Sequence, residues 1–233
     1  MKDFQKRLFD IAVAMFGLVF LAFLFLAIGV LVIVSSPGPV FFKQRRVGRG
    51  GVSFTCVKFR TMYLEAEHHG SVTTADDDRV TPLGRVLRRF KLDEFPQLWN
   101  VLTGQMSFVG PRPDVPSYAD KLQGPERRVL DLRPGITGPA TIVFRNEEEI
   151  LAAVPDAKQF NDAVIYPLKI RLNLMYVDQY SLWKDIGYIV ATVLPSISHK
   201  VGLTRYLGIF TIETPEIAES CLVEMNQGNK MSN

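Results

Sequence analysis

Residues 11–34 contain no charged or strongly polar side chain. As one helix rising about 1.5 Å per residue they would reach roughly 36 Å, more than the hydrocarbon core of a bilayer. A secretory leader is the competing reading, but its apolar region is usually about 7–15 residues long with a small-residue cleavage site after it. This run ends instead at Ser35-Ser36-Pro37-Gly38-Pro39. Lys2, Lys6 and Arg7 precede it and Lys43, Arg45, Arg46 and Arg49 follow it, so both flanks are basic. The larger charge lies on the C-terminal side, which favours a cytoplasmic globular part. Two cationic ends are also what a helical hairpin shows when it enters one leaflet and returns. A sharp bend needs a cause, however, and the interior offers only Gly17 and Gly29, with no proline. Length favours a span, and the flanking charge leaves a re-entrant hairpin open.

The chain has 233 residues, enough for an anchor and one domain of ordinary size. Residues 1–38 read as the anchoring helix and turn, 39–224 as one domain, and 225–233 as a polar tail expected to be disordered. A net charge of +3 does not imply nucleic acid. Cys56 and Cys221 match no metal spacing and suit a reducing compartment as free thiols. His68, His69 and His199 form no ligand pattern. Past the anchor, residues 39–43 and 53–60 read as short strands around the turn Gly48-Arg49-Gly50-Gly51, with Lys58 and Arg60 alternating against Val57 and Phe59. Asp76-Asp77-Asp78 sits in a polar segment where a solvated or capping role is favoured over a metal. Asn146 reads as a helix N-cap, residues 157–180 as a longer helix, and residues 182–197 as a helix apolar enough for a bilayer surface or a core.

Chemistry concentrates in residues 83–102. Leu83, Val86, Leu87 and Phe90 recur at helical spacing, as do Phe95, Leu98, Trp99 and Leu102. Between the two helices Asp93 occupies the expected N-cap, with Glu94 in the first turn and Pro96 early enough to be tolerated. Downstream, Gly110-Pro111-Arg112-Pro113 fixes an arginine between two prolines, a rigid mount for an anion. Arg133-Pro134-Gly135-Ile136-Thr137-Gly138-Pro139 alternates rigid and permissive residues. An acidic cap and solvated arginines are the ordinary alternative for any one of these segments.

Taken together and in order, Ser36-Pro37-Gly38-Pro39-Val40-Phe41-Phe42-Lys43-Gln44, Lys58-Phe59-Arg60-Thr61-Met62, Leu92-Asp93-Glu94 with Gln97-Leu98-Trp99-Asn100-Val101-Leu102, Ser107 to Pro113, and Arg133-Pro134-Gly135-Ile136-Thr137-Gly138 resemble the bacterial sugar transferases called monotopic phosphoglycosyl transferases. The resemblance implies an enzyme that moves a sugar-1-phosphate from a UDP-sugar to undecaprenyl phosphate at the cytoplasmic face of the bacterial inner membrane, releasing UMP and starting a surface glycan. It implies Asp93 as nucleophile, Glu94 as partner carboxylate, both toward Mg2+, and Lys58, Arg88 and Arg112 as phosphate-binding groups. A carboxylate nucleophile splits one displacement into two, and phosphoryl transfer asks the protein chiefly for positioning and charge neutralisation. The expected fold is α+β and mostly helical: an N-terminal membrane helix, re-entrant or spanning, a small cytoplasmic catalytic domain, amphipathic interfacial helices and a short β-hairpin. The exposed helix faces would meet membrane lipid or a second copy of the chain. The sequence departs from the family pattern at Leu21-Ala22-Phe23-Leu24, where a Ser-Pro break is common, and at Pro139 and Asn173, which bear on the sugar. The rival readings are a glycosyltransferase using Asp76 and Asp78 around a metal and releasing UDP, and a non-enzymatic membrane scaffold.

Overall fold

The structure, a computed structural model, describes residues 2–64, 77–119, 121–194 and 207. Asp76, the three histidines, Cys221 and the tail after Met225 lie outside the described residues.

The apolar run does not form one rod. It divides into α1 (Lys2–Phe20) and α2 (Ala22–Ser35), which meet at Leu21 with a bend of 62°. No proline causes it. Leu21 takes φ −92° and ψ 7°, outside the helical well, while its N–H still reaches the Gly17 carbonyl at 2.9 Å. Gly17 has a packing role: a Cβ there would stand 3.1 Å from Leu98 Cδ1, so its absence lets a later helix press close to α1. Neither helix alone is long and apolar enough to cross a membrane, although the bent pair together has the length and composition.

Both ends of this pair are built into the same body. Near the start of α1, Arg7 donates to the carbonyls of Val101 at 2.6 Å and Leu102 at 2.8 Å. Lys6 Nζ reaches the Val109 carbonyl at 2.9 Å and Asp185 at 2.5 Å. Buried Asp10 accepts from the Ser107 hydroxyl and the Phe108 N–H. Lys6 and Arg7, expected from the sequence to act as flanking charge, are therefore internal structural groups. At the other end Ile28 and Val32 of α2 pack with Phe59 and Leu87, and buried Arg60 donates to the carbonyls of Ser36 at 2.7 Å and Pro37 at 2.6 Å.

The expected hairpin is present with a longer first strand. β1 (Phe41–Val47) pairs antiparallel with β2 (Ser53–Phe59), Phe41 opposite Phe59 and Val47 opposite Ser53. The turn uses positive φ at Gly50 and Gly51. Lys58 and Arg60 do not form a solvent-facing edge: Lys58 is half-buried and Arg60 buried, because that side of β2 meets the acidic turn and the end of the anchor.

A second pairing has no signature in the sequence pattern. β3 (Ser107–Val109) runs parallel to β4 (Gly135–Thr137), bringing the two proline-glycine motifs side by side. The contact is possible only for glycine. A Cβ on Gly110 would lie 2.4 Å from the Arg133 carbonyl oxygen, and one on Gly135 would lie 2.1 Å from the Gly110 nitrogen.

An outer helical layer completes the body. It comprises α3 (Pro82–Arg89), α4 (Gln97–Leu102), α5 (Pro116–Ala119), α6 (Pro139–Val143), α7 (Glu147–Ala152), α8 (Ala157–Phe160), α9 (Tyr166–Gln179) and α10 (Leu182–Val193). α8 continues into α9 through a π-helical turn. Asn146 precedes α7 as expected, but its side chain makes no capping bond. One core cluster joins Val109 to Tyr176, Tyr188 and Ala191, and another gathers Phe144, Ile150, Leu151, Phe160 and Ile165 under α7 and α8.

Candidate active site

The site grows from the joint between α3 and α4. Thr81 caps α3 by accepting from the Gly84 N–H at 2.9 Å, with Pro82 in the first turn where a missing N–H costs nothing. α3 stops at Phe90, and Lys91 reverses the chain in a left-handed conformation, φ 56° and ψ 22°. A single 3-10 turn, Leu92–Glu94, follows before α4 begins. Asp93 is thus not the helix N-cap that the sequence suggested. Pro96 precedes α4 and no side chain caps it, because the reversal at Lys91 uses up the intervening residues before α-helical geometry resumes. The field acting on the acidic pair comes from side-chain cations.

Those cations converge on Glu94. Lys58 Nζ donates to Glu94 Oε1 at 2.8 Å and Arg112 Nη2 donates to the same oxygen at 2.7 Å. Lys58 arrives from β2 and Arg112 from the segment after β3, so three elements meet at one carboxylate. Burial alone would push the Glu94 carboxyl up, but the charges of Arg112 and Lys58 outweigh it and hold the group far below the usual carboxylate range. Glu94 in turn drives the Arg112 guanidinium above its ordinary value.

Asp93 is in the opposite condition. It is 7% exposed, and its Oδ1 is buried without a hydrogen-bond partner among the described residues. Burial pushes its carboxyl above the usual value, while the nearby charge of Lys58 pulls the other way. An unpaired buried carboxylate oxygen is costly and leaves one acceptor open. Arg88 stands further back. Its Nε donates to Thr61 Oγ1 at 3.0 Å and its Nη1 to Glu148 at 3.2 Å, and it reaches Asp93 only through space. Of the five residues singled out from the sequence, four form one cluster and Arg88 borders it.

Asn100 and Arg46 support this cluster and were not picked out from the sequence. Asn100 is buried in α4, accepts from the Val57 N–H at 3.1 Å, and donates to the Thr55 carbonyl and Gln105 Oε1, both at 2.7 Å. It thereby fixes α4 to the strand that carries Lys58. Arg46 donates to the Pro113 carbonyl at 3.0 Å beside Arg112, and burial together with the Arg112 charge lowers its pKa. An asparagine on a helix face otherwise directed at the core was the available signal for the first; Arg46 gave none.

α3 and α4 are inverted relative to a water-facing pattern. Val86, Phe90 and Trp99 are 51%, 64% and 57% exposed, while Gln97 and Asn100 are buried. The two apolar stripes read from the helical spacing are each divided, Leu87 and Leu98 turning inward. Phe95, directly after Glu94, lies 6.5 Å from the Phe25 ring of α2, so the acidic turn rests against the bent apolar pair.

For a metal, the donor set is small: among the described residues no group of three or more His, Cys, Asp or Glu side chains could hold an ion. The free Asp93 Oδ1 fits Mg2+ shared with substrate phosphates, since Mg2+ usually takes one or two protein carboxylates and fills its octahedron with water and phosphate oxygens. Glu94 offers less, its Oε1 being already held by two cations. Among the described residues of the aspartate run, both oxygens of Asp77 accept from Arg79.

The family profile described as bacterial sugar transferase matches residues 1–199, and the chain belongs to that family. Among named relatives, it is similar to the UDP-glucose:undecaprenyl-phosphate glucose-1-phosphate transferase of Xanthomonas campestris pv. campestris, 40% identical over 203 residues that cover 84% of this chain and 40% of the relative. The UDP-N-acetylgalactosamine-undecaprenyl-phosphate N-acetylgalactosaminephosphotransferase of Aeromonas hydrophila is 37% identical over 196 residues, 82% of this chain and 43% of its own length. The uncharacterized sugar transferase EpsL of Bacillus subtilis (strain 168) is 37% identical over 188 residues, 81% of this chain and 85% of its own. The chain therefore spans about two-fifths of the first two relatives and most of the third.

Proposed function

We propose that this protein transfers a sugar-1-phosphate from a UDP-sugar to undecaprenyl phosphate, releasing UMP, through a phosphosugar carried on Asp93. The observation that carries the reading is the contrast within one turn: Glu94 clamped by Lys58 and Arg112, and Asp93 buried beside it with a free oxygen. An Asp93 oxygen attacks the sugar-linked phosphorus and forms an acyl phosphate. The bond to the bridging oxygen breaks and that oxygen leaves on UMP. A phosphate oxygen of the lipid acceptor then attacks the same phosphorus, the Asp93–phosphorus bond breaks, and the carboxylate is restored. Lys58 and Arg112 are placed to balance charge on the phosphoryl oxygens, with Glu94 holding both in register. Asp93, and to a smaller degree Glu94, would hold Mg2+, which when bound supplies charge neutralisation on the phosphates.

The acceptor's tail is apolar and its phosphate is not, so the site has to lie at the seam between lipid and water. The exposed apolar faces of α1, α2, α3 and α4 around the acidic turn support that position. The attachment of both ends of the bent pair to one body supports a re-entrant hairpin at the cytoplasmic face of the inner membrane. The test is intact-protein mass spectrometry after incubation with a panel of UDP-sugars and Mg2+ without lipid acceptor. One phosphosugar should be gained by the wild type and none by Asp93→Asn. Turnover with no adduct for any donor would overturn the two-step route, and release of UDP in place of UMP would overturn the reaction class.

A further inference from the structure

We propose that Lys91 binds the phosphate of the lipid-linked acceptor; this rests on the phosphosugar-transfer reading above and assigns a residue to its second half. The first observation is conformational. Among the described residues Lys91 is the one non-glycine with positive φ, two positions before Asp93. Left-handed backbone disfavours a side chain, and glycine or asparagine would adopt it more readily, so a lysine at this reversal calls for a reason other than the turn. Strain at such a position is a pointer to function.

The second observation is place. Lys91 is exposed, preceded by exposed Phe90 and followed by Leu92, which packs with Ile28 and Val32 of α2, and then by buried Asp93. In the chain Lys91 thus stands between an exposed apolar ring and the acidic turn. The third is commitment. Lys58 and Arg112 are paired with Glu94, and Arg88 with Glu148. Lys91 has no ion pair among the described residues. A phosphate monoester on an apolar tail needs apolar surface for the tail and, at its edge, a cation beyond those assigned to the transferred phosphoryl group. A compact ammonium on a flexible stem meets the second need without demanding one geometry.

The experiment compares wild type, Lys91→Asn and Lys91→Arg, full chain, in phosphatidylcholine nanodiscs. Asparagine tolerates the left-handed backbone, so the first variant removes charge while leaving the turn; arginine restores charge. Equilibrium binding of farnesyl phosphate is measured against farnesol, and Asp93 adduct formation from the UDP-sugar is followed on the same samples. Lys91→Asn should lose on the order of tenfold in preference for the phosphate, with adduct formation within about twofold of wild type, and Lys91→Arg should retain most of the preference. An unchanged preference in Lys91→Asn overturns the proposal, and so does an equal fall in adduct formation, which would make Lys91 a donor-side or folding residue. Adding phosphatidylglycerol to the discs separates the two sources of lipid phosphate: a Lys91→Asn defect seen only as weaker association with that headgroup also overturns it. A wild type that forms no adduct, but whose preference for the phosphate falls in Lys91→Asn, supports the Lys91 contact and strikes only the covalent reading.

Discussion

Asp93 and Glu94 are neighbours in one turn, yet their surroundings drive their acidities in opposite directions, and this has consequences for stability as well as chemistry. A carboxyl whose folded pKa is depressed contributes stability above the unfolded pKa and loses it as pH falls toward the folded value. Glu94 is of this kind. Glu94→Gln would leave Lys58 and Arg112 without their shared counter-charge and is expected to cost about 2 kcal/mol near neutral pH, a value reduced for the part-exposure of both cations. The gap from wild type should narrow in acid, as read by thermal unfolding across pH. Asp93, with its raised pKa, behaves in the reverse sense: ionising it costs stability as pH rises from the ordinary carboxylate value through the folded one. Asp93→Asn removes the proposed nucleophile, so UMP release should fall on the order of a thousandfold or more, and in metal-free buffer near pH 7 the variant should melt above wild type. A melting temperature unchanged or lowered would show that Asp93 is not held at a cost. Motif order pointed to both residues, and their adjacency was legible in the sequence. Their opposite states were not, because they depend on which cations arrive from β2 and from beyond β3.

Elements were legible where a local rule fixes them and obscure where a distant contact does. The Gly48 to Gly51 turn announces the hairpin, and the spacing of Leu83, Val86, Leu87 and Phe90 announces α3. Asp93 seemed to be a cap because an acidic residue ahead of an apolar repeat usually is one; Lys91 moved the start of α4 past Pro96. The split apolar stripes of α3 and α4 could not be resolved from periodicity, which records that a face is apolar but not whether protein or lipid covers it. Asn100 is the sharpest element-level test. Asn100→Ala leaves the Val57 N–H and the Thr55 carbonyl without their partner and should cost about 2–3 kcal/mol, seen as earlier unfolding in detergent. Because the same bonds hold α4 against the strand bearing Lys58, the rate of adduct formation should fall with it. Stability lost with the rate preserved would mean that Lys58 is placed by β2 alone.

For the molecule as a whole, the bent apolar pair is bound at both ends to one body, by Lys6, Arg7 and Asp10 near its start and by Ile28, Val32 and the Arg60 contacts near its finish. In a background lacking Cys56 and Cys221, single cysteines at the exposed positions Gln5 and Arg45 are expected to react with a membrane-impermeant reagent from the same side. Labelling from opposite sides would establish a span. The same contacts lead to an expectation for truncation: removing residues 1–38 takes Ala14 out of the cluster with Phe54, Val101 and Met106 and strips the Asp10 bonds from β3. The remainder should therefore aggregate on expression instead of yielding a soluble transferase, a result read by size-exclusion chromatography. The bend has neither proline nor glycine at its centre, and only the family resemblance, whose break falls at Leu21-Ala22-Phe23-Leu24, pointed to its place.

The glycine seam between β3 and β4 reaches into protein engineering. Gly110 and Gly135 touch backbone to backbone, so the stretch bearing Arg112 and the stretch bearing Thr137 form a matched pair although many residues separate them. A chimera that grafts only one of these stretches from a relative would join two surfaces that were never fitted to each other. Grafting both together keeps the fit, so folded chimeras should be recovered from paired grafts where single ones fail.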